Sequence, residues 1–435
     1  MESKNIGPVE LREAWWLLTP EDRIEGFQLL EPDDAEEFFF DLSADDQAEL
    51  VLTLRPGARR LWLRLLPPDD AADLIQAADE EHREQLLRLL DENTRREVGA
   101  LLAYEEDEAG GLMSSRFARA RPDMRVDEAI SYLRKQAIGT SELETIYYVY
   151  VLDAQQRLLG IASFRELFAS PGERTMREVM STDLVTAHEE MDQESLALLF
   201  AAHDLLAIPV VDDEGRMKGI VTVDDIVDVV QEEATEDIQK YGGMEALDEP
   251  YLRIGLFDLL RKRVGWLAIL FVGELFTASA LQEFQHQLNS LTVLALFLPL
   301  IISSGGNSGS QASTLVIRAM AIGEVRLRDW WRVARRELTS GLILGAILGL
   351  IGVGRVTLGH LIGLQPSEHL AKFSLTIAFS LTGVVLFGTI AGSMLPLLLR
   401  RIGLDPASAS APLVATMVDV TGIVIYMTAA TLILF

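Results

Sequence analysis

The stretch APLVATMVDVTGIVIYMTAATLILF (residues 411–435) is apolar and long enough to cross a lipid bilayer, yet it carries one carboxylate, Asp419. A helix needs about 20 apolar residues to span the hydrocarbon core. A charge near the middle of such a helix costs at least roughly 2.5–3.5 kcal/mol, and it usually faces the interior of a helix bundle or a water-filled path. Asp419 is therefore expected either to face the bundle interior or a water-filled path, or to be a structural residue that pairs with a neighbouring helix or stays protonated.

Four more apolar stretches precede this one, so the C-terminal half is predicted to cross the membrane five times. The predicted spans are 264–281, 291–318, 339–362, 373–398 and 409–434. The second span contains a polar run of Gly, Ser, Asn and Gln at 303–313. Irregular polar backbone at membrane depth is tolerated only against protein or a wet cavity, so this run predicts an irregular segment that packs on protein or faces such a cavity. A polar loop outside the membrane is the alternative.

Arginines predict the orientation of the spans. Basic residues lie before the first span (261–263), between the second and third (326–336), and between the fourth and fifth (400–401). Positively charged loops stay in the cytoplasm. This rule predicts a cytoplasmic N-terminus and an external C-terminus in the cell (inner) membrane. Trp266, Trp330 and Trp331 lie at predicted span edges, where aromatic residues favour the interface.

The charge of the chain is concentrated in its N-terminal half. Residues 1–250 hold 57 acidic and 24 basic side chains, whereas residues 251–435 hold 9 and 14, within a total net charge of -28. Such an acidic half repels nucleic acid and attracts cations. The absence of cysteine excludes disulfides and thiolate metal sites. No nucleophile triad, phosphate loop or metalloprotease motif is present, so the sequence does not predict an enzyme.

Residues 18–94 repeat every twelve residues. The units LTPED, LEPDD, LSADD, LRPGA and LPPDD begin at residues 18, 30, 42, 54 and 66, and two weaker units follow. Proline in the first turn and acids beside it favour the start of a helix. A short helix of this kind cannot bury its apolar side alone, so the repeat predicts a stacked, superhelical all-α domain.

A second repeat follows at an offset of 59 residues. The segment VYVLDAQQRLLGIASFRELF (149–168) matches IPVVDDEGRMKGIVTVDDIV (208–227), and both predict strand, turn, strand and helix. The pair resembles tandem CBS domains. In that family a Thr and an Asp at the end of the second strand can hold the ribose of an adenine nucleotide, which implicates Thr222 and Asp225. The first copy has Glu166 in place of this Asp, so the resemblance supports nucleotide binding less well there.

The second module continues into an acidic helix. Asp225, Asp228, Glu232 and Glu236 recur at helical spacing, with Glu233 and Asp237 beside them. Like charges so placed repel by a few tenths of a kcal/mol per pair. A solvated helix face is one interpretation. Clustered oxygen ligands in a chain with no Cys and few His also favour Mg²⁺ or Ca²⁺, and this interpretation is preferred here.

The order of these parts resembles the MgtE family of magnesium transporters over essentially the whole chain. The resemblance is carried by the acidic repeat, the CBS pair and four motifs. These are YEEDEAGGLM (104–113), EEATEDI (232–238), GGNSGSQAS (305–313) and MVDVTG (417–422). It implies a homodimeric Mg²⁺ channel whose pore is lined by the second and fifth spans, with Asp419 binding the permeating ion. This chain has Ser310 where the family usually has Asn.

The resemblance also implies that cytoplasmic Mg²⁺ closes the pore by binding carboxylates of the cytoplasmic half. The implied metal ligands are Glu37, Asp69, Asp73, Asp192, Glu194, Asp204, Asp225, Asp228, Glu233, Glu236, Asp237 and Asp405. Mg²⁺ is thus the expected cargo and regulator, ATP a further candidate regulator, and the bilayer and a second copy of the chain the expected partners, with no role for nucleic acid.

The predicted fold is a multidomain membrane protein. It comprises an N-terminal all-α superhelical domain (1–113), tandem α/β CBS domains (114–175 and 176–237), a connecting helix (238–263) and a five-helix transmembrane domain (264–435). Two other functions remain open at this point. One is a divalent cation carrier that is coupled to protons or Na⁺ and regulated by the CBS pair. The other is a nucleotide-sensing protein for which the spans serve as an anchor.

Overall fold

The computed structural model describes residues 7–137, 143–247, 250–362 and 370–434. The chain divides into two compact units, Met1–Glu232 and Glu233–Phe435. The first unit holds the short helices of the twelve-residue repeat and two small sheets. Within these described ranges, the second holds five helices long and apolar enough to cross a membrane. These findings confirm the predicted fold class.

From residue 7, where the described chain starts, the first unit shows eight short helices, and from α2 onward each starts twelve residues after the one before. They are α1 Pro8–Ala14, α2 Pro20–Gln28, α3 Pro32–Phe40, α4 Ala44–Thr53, α5 Pro56–Leu63, α6 Pro68–Ala77, α7 Glu80–Leu87 and α8 Glu92–Leu101. The even-numbered helices stack in order, α2 on α4 on α6 on α8. Phe38, Leu63 and Leu74 are fully buried between the helices. The stacking therefore gives each short helix the apolar partner that it needs.

Two three-stranded sheets follow, one in each CBS-like module. The first module contains β1 Phe117–Ala120, α9 Val126–Ala137, β2 Thr145–Leu152, β3 Leu158–Ser163, α10 Phe164–Ala169 and α11 Met176–Val179. The second contains β4 Ala187–His188, α12 Gln193–His203, β5 Ala207–Val211, β6 Met217–Thr222 and α13 Val223–Tyr241. In both sheets the central strand pairs parallel to the first strand and antiparallel to the third. Tyr148 pairs with Ser163 and Ala207 pairs with Thr222, so the register repeats at the offset found in the sequence.

The second unit contains the end of α13 and the long helices. These are α14 Leu256–Glu283, α15 Gln285–Ser290, α16 Val293–Ala321, α17 Trp330–Leu361, α18 Leu370–Arg401 and α19 Ala411–Leu434, with single 3-10 turns at Leu327–Asp329 and Pro406–Ser408. Helix α18 packs on α16, α17 and α19, and α14 packs on α19. All five predicted spans therefore correspond to helices of the bundle.

The segment 238–263, predicted as a connecting helix, contains the end of one helix and the start of the next. Helix α13 ends at Tyr241, and α14 begins only at Leu256. Gly243 adopts φ +77° just after α13, a conformation that glycine takes without the steric cost other residues incur. The glycine therefore ends the helix. In this unit the Tyr241 hydroxyl donates a hydrogen bond to the carbonyl of Ser310 at 2.8 Å, which anchors the end of α13 to α16.

The prediction of irregular backbone at 303–313 was wrong, because α16 is helical throughout this run. Its glycines serve close packing. A Cβ on Gly309 would lie 2.7 Å from a methyl of Val414 and 2.9 Å from the carbonyl oxygen of Gly388. A Cβ on Gly388 or Gly392 would collide with the backbone of α16 at Gly305 or Gly309. The small residues thus let three helices approach at backbone distance.

This contact predicts that the loss of stability caused by a glycine substitution depends strongly on whether the glycine lies against another helix. Gly392→Ala should destabilise the bundle by about 1–3 kcal/mol, because the added methyl meets the backbone of Gly309 and neither helix can yield cheaply. Gly354→Ala in α17 is the matched control, since nothing lies within 4 Å of its Cβ position. Thermal unfolding of the full-length protein in detergent should show a lower midpoint for the first variant only. Equal midpoints would contradict the packing described here.

Candidate cation sites and ion path

Several carboxyl groups of the first unit lie close together where α6 meets the second CBS-like module. Burial raises the pKa of Asp69 to about 7, and the nearby carboxylates of Glu144 and Asp225 raise it further. Burial and the charges of Asp70 and Asp69 raise the pKa of Asp73 to about 8. All the neighbouring charges that shift the pKa of these groups are acidic. Folding has therefore brought like charges together.

One oxygen of this cluster lacks a protein partner. Oδ1 of Asp69 is buried and accepts no hydrogen bond within the described part of the chain, although the residue is only 8% exposed. A buried polar atom without a partner costs free energy, and a bound cation would recover it. Mg²⁺ prefers carboxylate and water oxygens. The residues present therefore fit a divalent cation, although the described chain contains no group of three or more acid or histidine side chains already arranged to hold one.

The sequence missed three members of this cluster. Burial raises the pKa of Asp70 to about 6, and Asp69 and Asp224 add to the effect. Burial also raises the pKa of Glu144, whose carboxylate accepts a hydrogen bond from Ser114 at 3.1 Å. Glu144 lies just before β2 in the first module, 75 residues from Asp69 along the chain. Nothing in its local sequence distinguishes it from a solvated acid.

Other predicted ligands of the first unit lie outside this cluster. Glu37 and Asp228 are exposed on α3 and α13. Asp192 caps α12 by accepting a hydrogen bond from the backbone N–H of Ser195 at 3.1 Å, and Glu194 lies in the first turn of that helix. Asp204 ends α12 in the left-handed conformation with φ 50°. The last three acids thus lie at the ends of one helix, where acids and turn-forming residues are commonly found.

Thr222 and Asp225, the predicted nucleotide ligands, are already paired. The hydroxyl of Thr222 donates to Oδ2 of Asp225 at 2.6 Å, and its backbone N–H donates to the same oxygen at 3.2 Å. In the first module Ser163 and Glu166 form the equivalent pair at 2.8 Å. Burial raises the pKa of Asp225 to about 6. Asp225 therefore belongs both to the nucleotide prediction and to the acidic cluster.

A second acidic group lies within the second unit, where the end of α13 meets the turn before α19. Lys240 forms an ion pair with Asp405 at 2.7 Å and another with Glu236. Burial raises the pKa of Asp237 to about 6, and the charges of Asp405 and Glu233 raise it further. The structure thus brings four predicted ligands, Glu233, Glu236, Asp237 and Asp405, into one neighbourhood. Sequence reasoning did not identify Lys240, which already neutralises part of their charge.

Asp419 lies on α19 beside an open pocket of about 420 Å³ in the helix bundle. The pocket is lined by residues of α14, α16 and α19, among them Ser303, Asn307 and Ser310. The side chain of Asp419 is hydrogen-bonded to that of Glu274 on α14. Two carboxyl groups in contact repel each other unless they share a proton or a cation. Asp419 is therefore paired with a second acid and not with a basic residue. A salt bridge that only holds two helices together would need a basic partner.

Three family models match the chain. A divalent cation transporter family covers residues 298–429, the MgtE intracellular N domain covers 6–107, and the CBS domain covers 176–232. The magnesium transporter MgtE of Thermus thermophilus is 44% identical over 370 residues, which is 84% of this chain and 79% of that protein. The magnesium transporter MgtE of Enterococcus faecalis is 31% identical over 77% of this chain and 71% of that protein.

One solved structure, the cytosolic domain of the Mg²⁺ channel MgtE in complex with ATP, is 42% identical and covers 52% of this chain and 91% of that one, with a TM-score of 0.48. Five helices in the described part of the chain are long and apolar enough to cross a membrane. Together with the divalent cation transporter match, they define a multi-pass membrane transporter and not an enzyme. The chain belongs to the MgtE family of magnesium transporters.

The acidic cluster predicts that the first unit loses stability as pH rises. The pKa values of Asp69 and Asp73 are raised from 3.8 to about 7 and about 8, so the folded state holds protons that the unfolded state releases. Stability should be highest below pH 4, fall between pH 4 and 8, and level off above. Amide exchange of α6 in the full-length protein without divalent cations, corrected for intrinsic rates, should be at least about tenfold faster at pH 8.5 than at pH 5.5, since one pKa unit corresponds to about 1.4 kcal/mol.

Matched variants test the origin of this effect. Asp69→Asn should flatten the pH dependence because the amide carries no charge at either pH. Asp33→Asn is the control, since Asp33 holds the same place in its own repeat unit but is exposed on α3. The same pH dependence in the Asp69→Asn variant as in the unchanged protein would contradict the role of the buried carboxyls.

Proposed function

We propose that this protein is a Mg²⁺-selective channel of the cytoplasmic membrane that closes when cytoplasmic Mg²⁺ binds its acidic N-terminal half. The observation that carries the proposal is the Asp419 pocket, where an acid pair meets polar side chains of α16 within an otherwise apolar bundle. A membrane anchor needs no such pocket. The names of the related proteins, magnesium transporter and Mg²⁺ channel, support the choice of ion.

The ion path has a physical basis in the chemistry of hydrated Mg²⁺. This ion releases its water reluctantly, so a site that passes it needs charge to attract the ion and polar groups to bind its water shell. Asp419 supplies the charge, and Asn307, Ser303 and Ser310 supply polar groups around the same pocket. We propose a homodimer with Asp419 of each copy near the two-fold axis, which would double the charge facing the ion.

The proposed gate uses the repulsion between buried carboxylates. At neutral pH the cluster around Asp69 must either hold protons or bear repelling charges. Mg²⁺ bound there would relieve the repulsion and stabilise the compact arrangement by mass action. The second group, with Glu236, Asp237 and Asp405, lies where the end of α13 contacts the pore-domain turn, and Tyr241 joins that end to α16. Cation binding there can therefore act on a helix that lines the path.

Binding of ATP to the second CBS-like module and the orientation of the chain in the membrane form part of the same proposal. The Thr222–Asp225 pair has the hydroxyl and carboxylate that would bind the ribose of ATP, and a related cytosolic domain was solved with ATP. Because Asp225 also belongs to the acidic cluster, ATP and Mg²⁺ would affect one another's binding there.

The arginines at 326–336 and 400–401 favour a cytoplasmic N-terminus and an external C-terminus.

The ion path predicts the effect of substitutions at Asp419. Asp419→Asn should abolish Mg²⁺ flux into liposomes while the protein still inserts and dimerises, because the amide keeps the size but removes the charge that attracts a divalent ion. Asp419→Glu should retain part of the flux. Glu274→Gln should reduce flux less than Asp419→Asn, and Glu283→Gln, at the end of the same helix α14, is the control that should leave flux unchanged. Normal Mg²⁺ uptake by a well-folded Asp419→Asn dimer would falsify the pore assignment.

The Asp419–Glu274 contact also supports a second candidate, a carrier coupled to protons. A shared proton between two carboxyl groups could leave when Mg²⁺ binds. Flux measured at several membrane potentials and proton gradients separates the two functions. A channel follows the electrochemical gradient of Mg²⁺ alone, whereas in a carrier an imposed proton gradient drives Mg²⁺ uphill. Uphill transport that disappears in the Glu274→Gln variant would establish the carrier.

The next prediction concerns regulation. Replacing Asp225, Asp228, Glu233, Glu236 and Asp237 by their amides should weaken inhibition of the channel by cytoplasmic Mg²⁺, because the inhibiting ions lose ligands. Patch recordings over a range of cytoplasmic Mg²⁺ give the measurement. The matched control removes equal charge from exposed solenoid positions; these are Glu21, Glu25, Asp33, Glu80 and Glu81. An equal shift in both variants would mean that net charge, and not bound Mg²⁺, sets the response.

A further inference from the structure

A second pocket, of about 600 Å³, opens on the surface of the helix bundle away from Asp419. It lies between the turn that precedes α17 and the last turns of α18, and Met417 of α19 closes one side. Its volume is within the range of roughly 300–1,000 Å³ found for ligand sites. The pocket is not required by the ion path or by the proposed cation sites.

The lining of this pocket is divided between charge and hydrocarbon. Arg328 and Arg401 contribute guanidinium groups, and Trp330 contributes an indole that is 54% exposed. The remaining lining is apolar and includes the exposed side chain of Leu398. Both arginines are also exposed, so they are available to a ligand that approaches from outside the bundle.

The dimensions of the pocket match one leaflet of a membrane. From Arg401 the lining continues along α18 to Ala391, ten residues away and therefore about 15 Å along the helix axis. Half of a hydrocarbon core about 30 Å thick has the same depth. The arginines lie at the end of the helices where arginine-rich connections meet the membrane, and tryptophan is enriched at that level. A ligand filling the pocket therefore has its anionic end at the interface and its apolar part in the leaflet.

We propose that this pocket binds one anionic phospholipid per chain, with the headgroup phosphate between Arg328 and Arg401 and an acyl chain along α18 toward Ala391. Guanidinium groups bind phosphate through paired, charge-assisted hydrogen bonds. Basic pockets between membrane helices are known recognition sites for anionic lipid headgroups. A neutral phospholipid has the acyl chains but carries a choline or ethanolamine cation that would lie near the arginines, so the site selects against it.

Native mass spectrometry of the full-length protein in detergent tests the proposal. Phosphatidylglycerol and phosphatidylcholine are titrated separately, and bound lipid per chain is counted. We expect one tightly bound phosphatidylglycerol per chain and no comparable phosphatidylcholine. Arg328→Gln/Arg401→Gln should weaken phosphatidylglycerol binding about 30-fold, which is about 2 kcal/mol at 1.4 kcal/mol per tenfold change, or the contribution of two surface arginines.

Two further variants make the test specific. Arg336→Gln/Arg400→Gln removes equal charge from the same two segments at positions outside the pocket lining and should leave lipid binding unchanged. Ala391→Phe fills the apolar end while keeping both arginines, and it should weaken phosphatidylglycerol binding. Equal weakening in the control variant, or unchanged phosphatidylglycerol binding by the Ala391→Phe variant, would overturn the proposal.

Two further measurements on the same proteins distinguish the lipid from two alternative occupants of this face. If millimolar inorganic phosphate protects the protein against heat as well as phosphatidylglycerol does, the site binds a free anion and the lipid proposal is wrong. If Arg328→Gln/Arg401→Gln converts dimers into monomers, this face belongs to a protein interface, and the proposal is again wrong. Retained dimers that lose only phosphatidylglycerol support it.

Discussion

The backbone contact of α16 with α18 is the constraint on which the helix bundle of the second unit depends. Gly388 and Gly392 lie against the backbone of Gly305 and Gly309, so these helices meet without intervening side chains. With this face of α16 fixed against α18, its polar residues Ser303, Asn307 and Ser310 line the pocket beside Asp419. The same glycines that weaken an isolated helix therefore hold the polar residues in place inside the membrane.

The other recurring feature is carboxylates placed beside carboxylates. Asp69 and Asp73 are surrounded by acids in the first unit, and Asp419 contacts Glu274 in the second. Such pairs are unfavourable unless protons or cations reduce the repulsion, so stability and cation occupancy are linked at each site. In the proposed function, neighbouring carboxylates would sense cytoplasmic Mg²⁺ in the first unit and attract the permeating ion in the second. Which of the two roles a carboxylate pair has depends on whether it is reached from the cytoplasm or lies in the ion path.

Local features of the sequence predicted much of the fold. The twelve-residue repeat predicted the helix starts from α2 to α8 because proline and acids act on the adjacent turn, and the 59-residue offset predicted the shared register of the two sheets. Contacts between residues far apart in the chain could not be predicted from local sequence patterns. Glu274 and Asp419 are 145 residues apart, and Glu144 becomes buried only through contacts between modules. The glycine-rich run of α16 was misinterpreted because glycine suits both a broken helix and a tightly packed one.

In the proposed gate, Mg²⁺ bound to the acidic helix α13 acts on the ion path through the short connection at the end of that helix. Lys240 pairs with Asp405 before α19, and Tyr241 binds the carbonyl of Ser310 in α16, so one turn of helix contacts both α16 and the turn that leads into α19. A cation that joins Asp237 and Asp405 would compete with Lys240 for the carboxylate of Asp405 and shift this turn against both helices. Gly243 ends α13 immediately afterwards with φ +77°, so α13 does not continue as one helix into α14. In the proposed gate, the side-chain contacts of Lys240 and Tyr241 are therefore the route by which cation binding on α13 would act on α16 and on the turn before α19.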